Sequence, residues 1–147
     1  MGNPGVIALV AGLAAQAAKV LVEAVLRRRW RPELFFTNGG MPSSHTATVA
    51  SLALLVGRRE GWNSTLGSLV VVFGLFVMFE ATGLRQELGH QAQVLNELMD
   101  RALAGDRPDR RRLRELVGHT WAEVLGGAVF GILFTLAWLK LAGGRGD

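Results

Sequence analysis

The chain has 147 residues, half of them apolar, and a formal net charge of +4. It has no cysteine, which excludes a disulfide framework, a thiolate nucleophile and a cysteine-ligated metal site. Its basic residues alternate with long uncharged stretches, a pattern that favours a membrane protein and argues against nucleic-acid binding. We therefore expect one membrane-embedded domain over residues 1–147.

Four apolar segments predict membrane-spanning helices, namely residues 6–26, 42–56, 62–83 and 121–141. A spanning helix needs roughly 20 apolar residues. The first, third and fourth segments are long enough, whereas the second is short and has a polar first turn at or just inside the membrane boundary. The segments are apolar on all faces, which favours a membrane bundle over a soluble bundle with buried helices. The predicted fold class is an all-α integral membrane helical bundle.

The spacing of individual residues predicts one helix contact and one surface helix. In the last segment, Gly127 and Gly131 have the spacing that allows close helix packing in lipid. Residues 84–103 alternate apolar and polar side chains at helical spacing, which predicts an amphipathic helix at the membrane surface or against the bundle. For its polar residues we favour a solvated face over a supporting role at a functional site. These residues are His90, Gln91 and Asn96.

Arginine counts predict the orientation of the bundle. Four spanning helices place residues 27–41 and 84–120 on one side, which carries eleven arginines. The other side carries three, at positions 58, 59 and 145. The positive-inside tendency puts the arginine-rich side in the cytoplasm. We expect a bacterial inner (plasma) membrane, with the functional site on its cytoplasmic side.

Polar residues from distant parts of the sequence gather at that side. His45 and His119 each stand at the start of a hydrophobic helix. The ends of the first and third helices bring four charged residues there, which are Lys19, Glu23, Glu80 and Arg85. We expect Glu80 to be buried and to neutralise one of the cations, either as a purely structural ion pair or with a catalytic role.

The stretch "GGMPSSHTA", residues 39–47, has the composition of an anion site. The first turn of a helix presents unpaired N–H groups and the positive end of its dipole. Gly40 allows the backbone to approach a ligand closely, Ser43 and Ser44 add hydroxyl donors, and His45 can give a proton. The alternative is a well-capped helix whose histidine faces the lipid headgroups.

His119 has an acidic neighbour at helical spacing. Glu123, one turn later, can accept the imidazole N–H, fix the tautomer and leave the other nitrogen as a nucleophile or base. With His45 as a second histidine, the pair could transfer a phosphoryl group, one attacking phosphorus and the other protonating the departing oxygen. A surface His–Glu pair is the alternative, but an unpaired carboxylate inside an apolar helix is costly, which favours a function.

Three blocks of the sequence resemble the divergent type 2 phosphatidic acid phosphatase family, which is related to acid phosphatases and vanadium-dependent haloperoxidases. The blocks are "NGGMPSSHTA", "FEATGLRQELGHQAQVLNEL" and "RELVGHTWAEVLGGAVFGI". The similarity also takes in "NPGVIALVAGLAAQAAK" at the N-terminus, so it covers nearly the whole chain.

The resemblance implies roles for individual residues. By position, His119 resembles the nucleophile, Glu123 its orienting acid and His45 the leaving-group acid. The residues that resemble the phosphate-binding set are Lys19, Arg85, Gly40, Ser43, Ser44 and Gly118. No Ser-Arg pair precedes His119 at the spacing of the wider superfamily, and we expect Arg85 to supply that guanidinium. Two further differences are Ser44 in place of glycine and Glu123 in place of aspartate.

From the residues and the resemblance together we expect a metal-independent phosphohydrolase. It would remove phosphate from a lipid phosphate or an isoprenoid diphosphate without a cofactor, with phosphate, vanadate or tungstate as site ligands. The alternative is a non-catalytic phospholipid-headgroup binding or lipid-transport protein with a vestigial site. Vanadate-dependent oxidation is least favoured, because a lipid-facing site offers no route for peroxide and halide. The expected partners are the lipid, the bilayer and, because thin helices cannot enclose a lipid alone, a second copy in a homodimer.

Overall fold

The computed structural model of the chain describes residues 2–26, 28, 30–36, 40–102, 113 and 120–143. These residues form four long helices and one short 3₁₀ helix, and none of them forms a strand. In chain order the elements are α1 (Pro4–Leu26), the 3₁₀ helix (Pro32–Phe36), α2 (Ser44–Glu60), α3 (Thr65–Ala102) and α4 (Trp121–Gly143). The predicted all-α helical bundle is confirmed.

The ends of three helices lie close to the predicted limits. α1 and α4 each differ from the predicted span by two residues at one end. α2 begins two residues later than predicted, because Ser43 caps its first turn, and ends four residues later. Its last turn carries Arg58 and Arg59, whose charge suits the negative end of the helix dipole. Gly61 then ends the helix with a φ of 92°, a conformation that favours glycine.

α3 corrects the prediction of a spanning helix followed by a separate amphipathic helix. It is one continuous helix of 38 residues. The sequence from Thr65 to Ala102 contains no proline, and each residue added to an existing helix gains a hydrogen bond without a new nucleation step. At 1.5 Å per residue α3 is roughly 57 Å long, about twice the roughly 30 Å of a hydrocarbon core. Its C-terminal half therefore extends beyond the bilayer.

α2 is the central helix of the bundle and packs against the other three. In the described part of the chain, α1, α3 and α4 are long and apolar enough to cross a membrane. α2 has only 17 residues, and many of its side chains are buried. The outer helices cover α2, so it needs less apolar character than a helix that faces lipid on its own.

Small residues bring α2 and α4 into close contact. A Cβ added to Gly131 would meet the Ala47 carbonyl, and one added to Gly127 would meet the Ser43 carbonyl. One turn further on, the buried hydroxyls of Ser51 and Thr135 are 2.6 Å apart. The close packing predicted for Gly127 and Gly131 is thus present, and its partner is α2. The two helices run parallel, with their first turns at the same end.

Four exposed tryptophans mark the two ends of the bundle. Trp30 follows α1 and Trp121 begins α4, so both lie at the end where α2 starts. Trp62 lies in the α2–α3 turn and Trp138 in the last part of α4, towards the opposite end. Tryptophan is enriched at both membrane–water interfaces, where its ring is part apolar and part polar. The arrangement supports a bundle that crosses the bilayer along α1, α3 and α4.

Candidate functional site

A polar cluster lies at the end of the bundle where α2 and α4 begin. Lys19 of α1 is only 2 % exposed although it carries an ammonium group. Its aliphatic stem lies against Gly40 in the loop before α2, where an added Cβ would be 3.2 Å from Lys19 Cδ. Gly40 also has a φ of 85°, so both the space and the backbone conformation favour glycine at this position.

The charge that faces Lys19 comes from the first turn of α4. The Glu123 carboxylate acts electrostatically on the Lys19 ammonium. A buried charge is costly unless a group of opposite sign accompanies it. The fold therefore brings Lys19, Gly40 and Glu123 together from three separate stretches of sequence.

Ser43 joins the start of α2 to the start of α4. Its side chain is fully buried, and Ser43 Oγ accepts hydrogen bonds from Thr46 N at 3.4 Å and Thr46 Oγ1 at 3.1 Å. Its own N–H donates to the Glu123 carbonyl at 3.1 Å. Ser43 is thus the N-cap of α2, and its N–H is already committed within the protein. The next residues along the chain begin α2 and carry its first backbone N–H groups.

Those next residues are Ser44 and His45, the first two residues of α2. The N–H groups of a first helical turn have no partner within the helix. Ser44 is half-buried, and its carbonyl accepts the Thr48 hydroxyl at 2.9 Å on the side that faces Gly12 of α1. His45 is exposed. The start of α2 therefore carries one exposed imidazole, and the loop before it contacts the buried Lys19 of α1.

Glu123 has a local role that the sequence analysis missed. Thr120 N donates to Glu123 Oε2 at 3.0 Å, and Glu123 N donates to Thr120 Oγ1 at 3.3 Å. This reciprocal pair is a capping box, whose sequence signal is Ser or Thr followed three residues later by Glu or Gln. The predicted contact between Glu123 and His119 stays a prediction, because Gly118 and His119 lie outside the described residues.

Two more charged residues expected at this end of the bundle are Arg85 and Glu23. Arg85 lies on α3, and its side chain is outside the description. Glu23 is half-buried on α1, one turn beyond Lys19, and acts electrostatically on Arg31. Arg31 Nε also donates to Glu33 Oε1 at 2.9 Å, which raises the pKa of Arg31 and lowers that of Glu33. Both side chains of that pair are exposed.

The expected burial of Glu80 is wrong. Glu80 is exposed and lies with Phe76, Phe79 and Gly83 along an open groove on the outer face of α3. The buried residues Gly74 and Ala81 lie on the opposite face of the helix. Among the described residues, no ion pair includes Glu80. It therefore does not neutralise Lys19.

The solvated face predicted for the polar residues of α3 holds for two of them and fails for the third. His90 and Gln91 are exposed, as expected for that face. Asn96 is only 4 % exposed and bonds to the backbone of Leu113. It lies four residues after the buried Ala92, so it shares the covered face of the helix.

Comparison with known proteins identifies the chain's relatives. The sequence pattern of the family described as the divergent PAP2 family matches residues 3–134. The chain is also 36 % identical over 139 residues to the uncharacterized membrane protein YuiD of Bacillus subtilis (strain 168). That match covers 87 % of this chain and 88 % of the relative. No solved structure matches the chain.

Proposed function

The chain belongs to the divergent PAP2 family, and on that premise we propose that it is a membrane phosphohydrolase. Its substrate would be a lipid phosphate or an isoprenoid diphosphate, whose apolar chain stays in the bilayer. His119 would be the nucleophile, Glu123 the acid that orients it and His45 the acid that protonates the leaving group. The site would lie on the cytoplasmic side of a bacterial inner membrane.

The observation that carries the proposal is the buried Lys19 ammonium beside the start of α2. Lys19 lies within an apolar helix and packs against Gly40, in the loop that leads into α2. A lysine, a helix N-terminus and a glycine loop together provide positive charge, N–H donors and room for a close approach. A phosphate-binding site needs all three features. They support a phosphate-binding cradle made of Lys19, Gly40, Ser44 and the Ser43 hydroxyl.

Phosphoryl transfer at this site would run in two steps. First, an imidazole nitrogen of His119 attacks phosphorus, the bond to the lipid oxygen breaks, and His45 gives that oxygen a proton. Then water attacks the phosphohistidine, His45 takes the water's proton, and inorganic phosphate leaves. Lys19 and the N–H groups of α2 stabilise the negative charge that develops on the phosphoryl oxygens. We include Arg85 in that role on the strength of the family resemblance.

A second candidate is a protein that binds a phospholipid headgroup, or transports a lipid, without turnover. The sequence has no Ser-Arg pair at the expected spacing before His119, which favours this reading. The same cradle around Lys19 would bind phosphate in either case. The two candidates therefore differ in turnover and not in anion binding.

Phosphate release from purified protein tests the proposal. With farnesyl diphosphate or phosphatidic acid in detergent and no divalent metal, we expect release that His119→Ala and His45→Ala each abolish. His90→Ala is the matched control, because His90 is the remaining histidine and lies exposed on α3. Phosphate binding without release from any such substrate would favour the second candidate.

Labelling of introduced cysteines tests the orientation. The chain has no cysteine, so each introduced one is a single probe. Glu33 and Asn63 are exposed and lie at opposite ends of the bundle. We expect Glu33→Cys to be labelled from the cytoplasm and Asn63→Cys from the other side. The reverse pattern would contradict the orientation.

The homodimer also stays a prediction, which light scattering of the detergent-purified protein tests.

A further inference from the structure

Asn96, in the C-terminal half of α3, forms hydrogen bonds with Leu113, in the stretch of chain that precedes α4. We call this contact the tie. Asn96 Nδ2 donates to the Leu113 carbonyl at 3.0 Å, and Leu113 N donates to Asn96 Oδ1 at 3.0 Å. One planar amide thus satisfies both backbone groups of one residue. Two hydrogen bonds from a rigid side chain fix the orientation of Leu113 as well as its distance from the helix.

The face of α3 around Asn96 carries small residues. Gly89 and Ala92 lie on the same face of α3 at spacings of three and four residues, and both are buried. Their small side chains allow another segment to come close to the helix axis. An asparagine that is 4 % exposed would be costly without hydrogen-bond partners. The pair with Leu113 explains why a polar residue is stable here.

The tie lies a short distance along the chain from the proposed nucleophile. Leu113 is six residues before His119 and seven before Thr120, which caps α4 through its reciprocal bonds with Glu123. The chain is therefore held at Leu113 by α3 and at Thr120 by the capping box. Between these two fixed points the sequence contains Gly118 and His119.

We propose that Asn96 is a positioning residue for His119, an inference that rests on the proposed function. In this role Asn96 would act through its hydrogen bonds to Leu113 and not on the substrate itself. By fixing Leu113 it restricts the conformations open to the six residues before Thr120, so less entropy is lost when the nucleophile is aligned. Loss of the tie would affect the chemical step, because Lys19 and Gly40 lie on other elements and would still bind phosphate.

Hydrogen exchange tests the tie itself. In Asn96→Ala we expect the Leu113 amide to exchange about tenfold faster or more, because it loses its acceptor. The amides of α4 should exchange at the wild-type rate, which shows that the bundle is intact. Gln91→Ala, an exposed amide five residues earlier on α3, should leave Leu113 unchanged. If the Leu113 amide of the wild type already exchanges as fast as that of Asn96→Ala, the inference is overturned.

Two further measurements test the effect on His119. In protein labelled with ¹⁵N-histidine, Asn96→Ala should shift or broaden the imidazole signals of His119 and leave those of His45 in place. In phosphate release we expect kcat to fall about tenfold or more with KM within about threefold, since alignment is lost and binding is kept.

The outcomes separate this inference from the proposed function. Faster exchange at Leu113 with unchanged His119 signals and unchanged kcat would overturn the positioning role and leave the phosphohydrolase standing. Absence of turnover in the wild type would count against the phosphohydrolase, and the His119 signals would then decide the positioning role by themselves. Unchanged His119 signals in Asn96→Ala overturn the inference in either case.

Discussion

Two helix starts meet at the candidate site, and they satisfy their backbone N–H groups in different ways. α4 closes its first turn with the capping box of Thr120 and Glu123, so its own chain supplies the acceptors and a negative charge. α2 has a single hydroxyl cap, Ser43, and no acidic residue in its first turn. The positive end of the α2 dipole is thus left without an acid from its own helix.

The difference indicates which helix start can bind an anion. At α4, the carboxylate of Glu123 accepts Thr120 N and brings negative charge to the first turn, which disfavours a phosphate there. At α2, the Lys19 ammonium adds positive charge, and Gly40 keeps the approaching loop free of a side chain. One backbone bond, from Ser43 N–H to the Glu123 carbonyl, joins the two starts at a fixed distance. A phosphate on α2 would therefore lie close to the start of α4, two residues after His119 in the sequence.

Replacing the buried lysine should have the largest effect on activity. Lys19→Met keeps a long side chain against Gly40 but removes the cation. We expect phosphate release to fall about 100-fold or more, as when one preorganised transition-state donor is lost. Lys140→Met, which changes the other lysine of the chain in the last turn of α4, is the control. Equal activity of the two variants would exclude α2 as the anion-binding start.

Removing the α2 cap should have the next largest effect. Ser43→Ala takes away the acceptor for Thr46 N and Thr46 Oγ1 in a fully buried place. We expect the free energy of unfolding to fall by about 1–2 kcal/mol, from the lost cap and the buried donor left without a partner. Ser64→Ala is the control, because Ser64 Oγ accepts from Gly67 N at the first turn of α3 and Ser64 is only half-buried. If Ser43→Ala and Ser64→Ala lower the free energy of unfolding equally in reversible unfolding, the burial of the Ser43 cap adds no stability.

Two substitutions separate the contribution of the α4 capping box to stability from its contribution to activity. Thr120→Ala removes a cap and should lower the free energy of unfolding by about 1 kcal/mol. Glu123→Gln keeps an acceptor for Thr120 N, since glutamine also serves in capping boxes. It removes the charge that faces Lys19, and we expect phosphate release about tenfold lower or more, a larger loss of activity than in Thr120→Ala. The opposite order of activities would assign Glu123 a capping role alone.

The smallest effect is expected at the exposed pair between α1 and α2. The hydrogen bond from Arg31 holds the pKa of Glu33 below its ordinary value of 4.5. Its contribution to stability is therefore present above pH 4.5 and disappears as the pH falls through the lowered pKa. Because water screens an exposed pair, Glu33→Gln should change thermal unfolding only slightly at pH 7 and still less in acid. A large shift at pH 7 would mean that this pair stabilises the site.

Much of the fold could be predicted from the sequence, because α1 and α4 are long apolar runs and Gly127 and Gly131 have a known packing spacing. The gathering of Lys19, Gly40 and Glu123 followed from counting membrane crossings. The continuity of α3 was not predicted, because a change from an apolar to an amphipathic pattern does not by itself show whether a helix ends. The outward position of Glu80 depends on which face of α3 meets α2.

Two hydrogen-bonded contacts show where sequence patterns do and do not suffice. The capping box at Thr120 and Glu123 has a local signal that could have been found by its spacing. The partner of Asn96 lies 17 residues away, at Leu113, and involves only backbone atoms there. No side-chain pattern encodes a contact of that kind, so only the folded chain reveals it.

The most direct measurement is an experimental structure of the protein with bound vanadate, which mimics a phosphoryl group under attack. We expect vanadate at the start of α2, in contact with Lys19 and the N–H groups of Ser44 and His45, with a nitrogen of His119 bonded to vanadium. Vanadate bound at the start of α4, or away from Lys19 and His119, would rule out the proposed site.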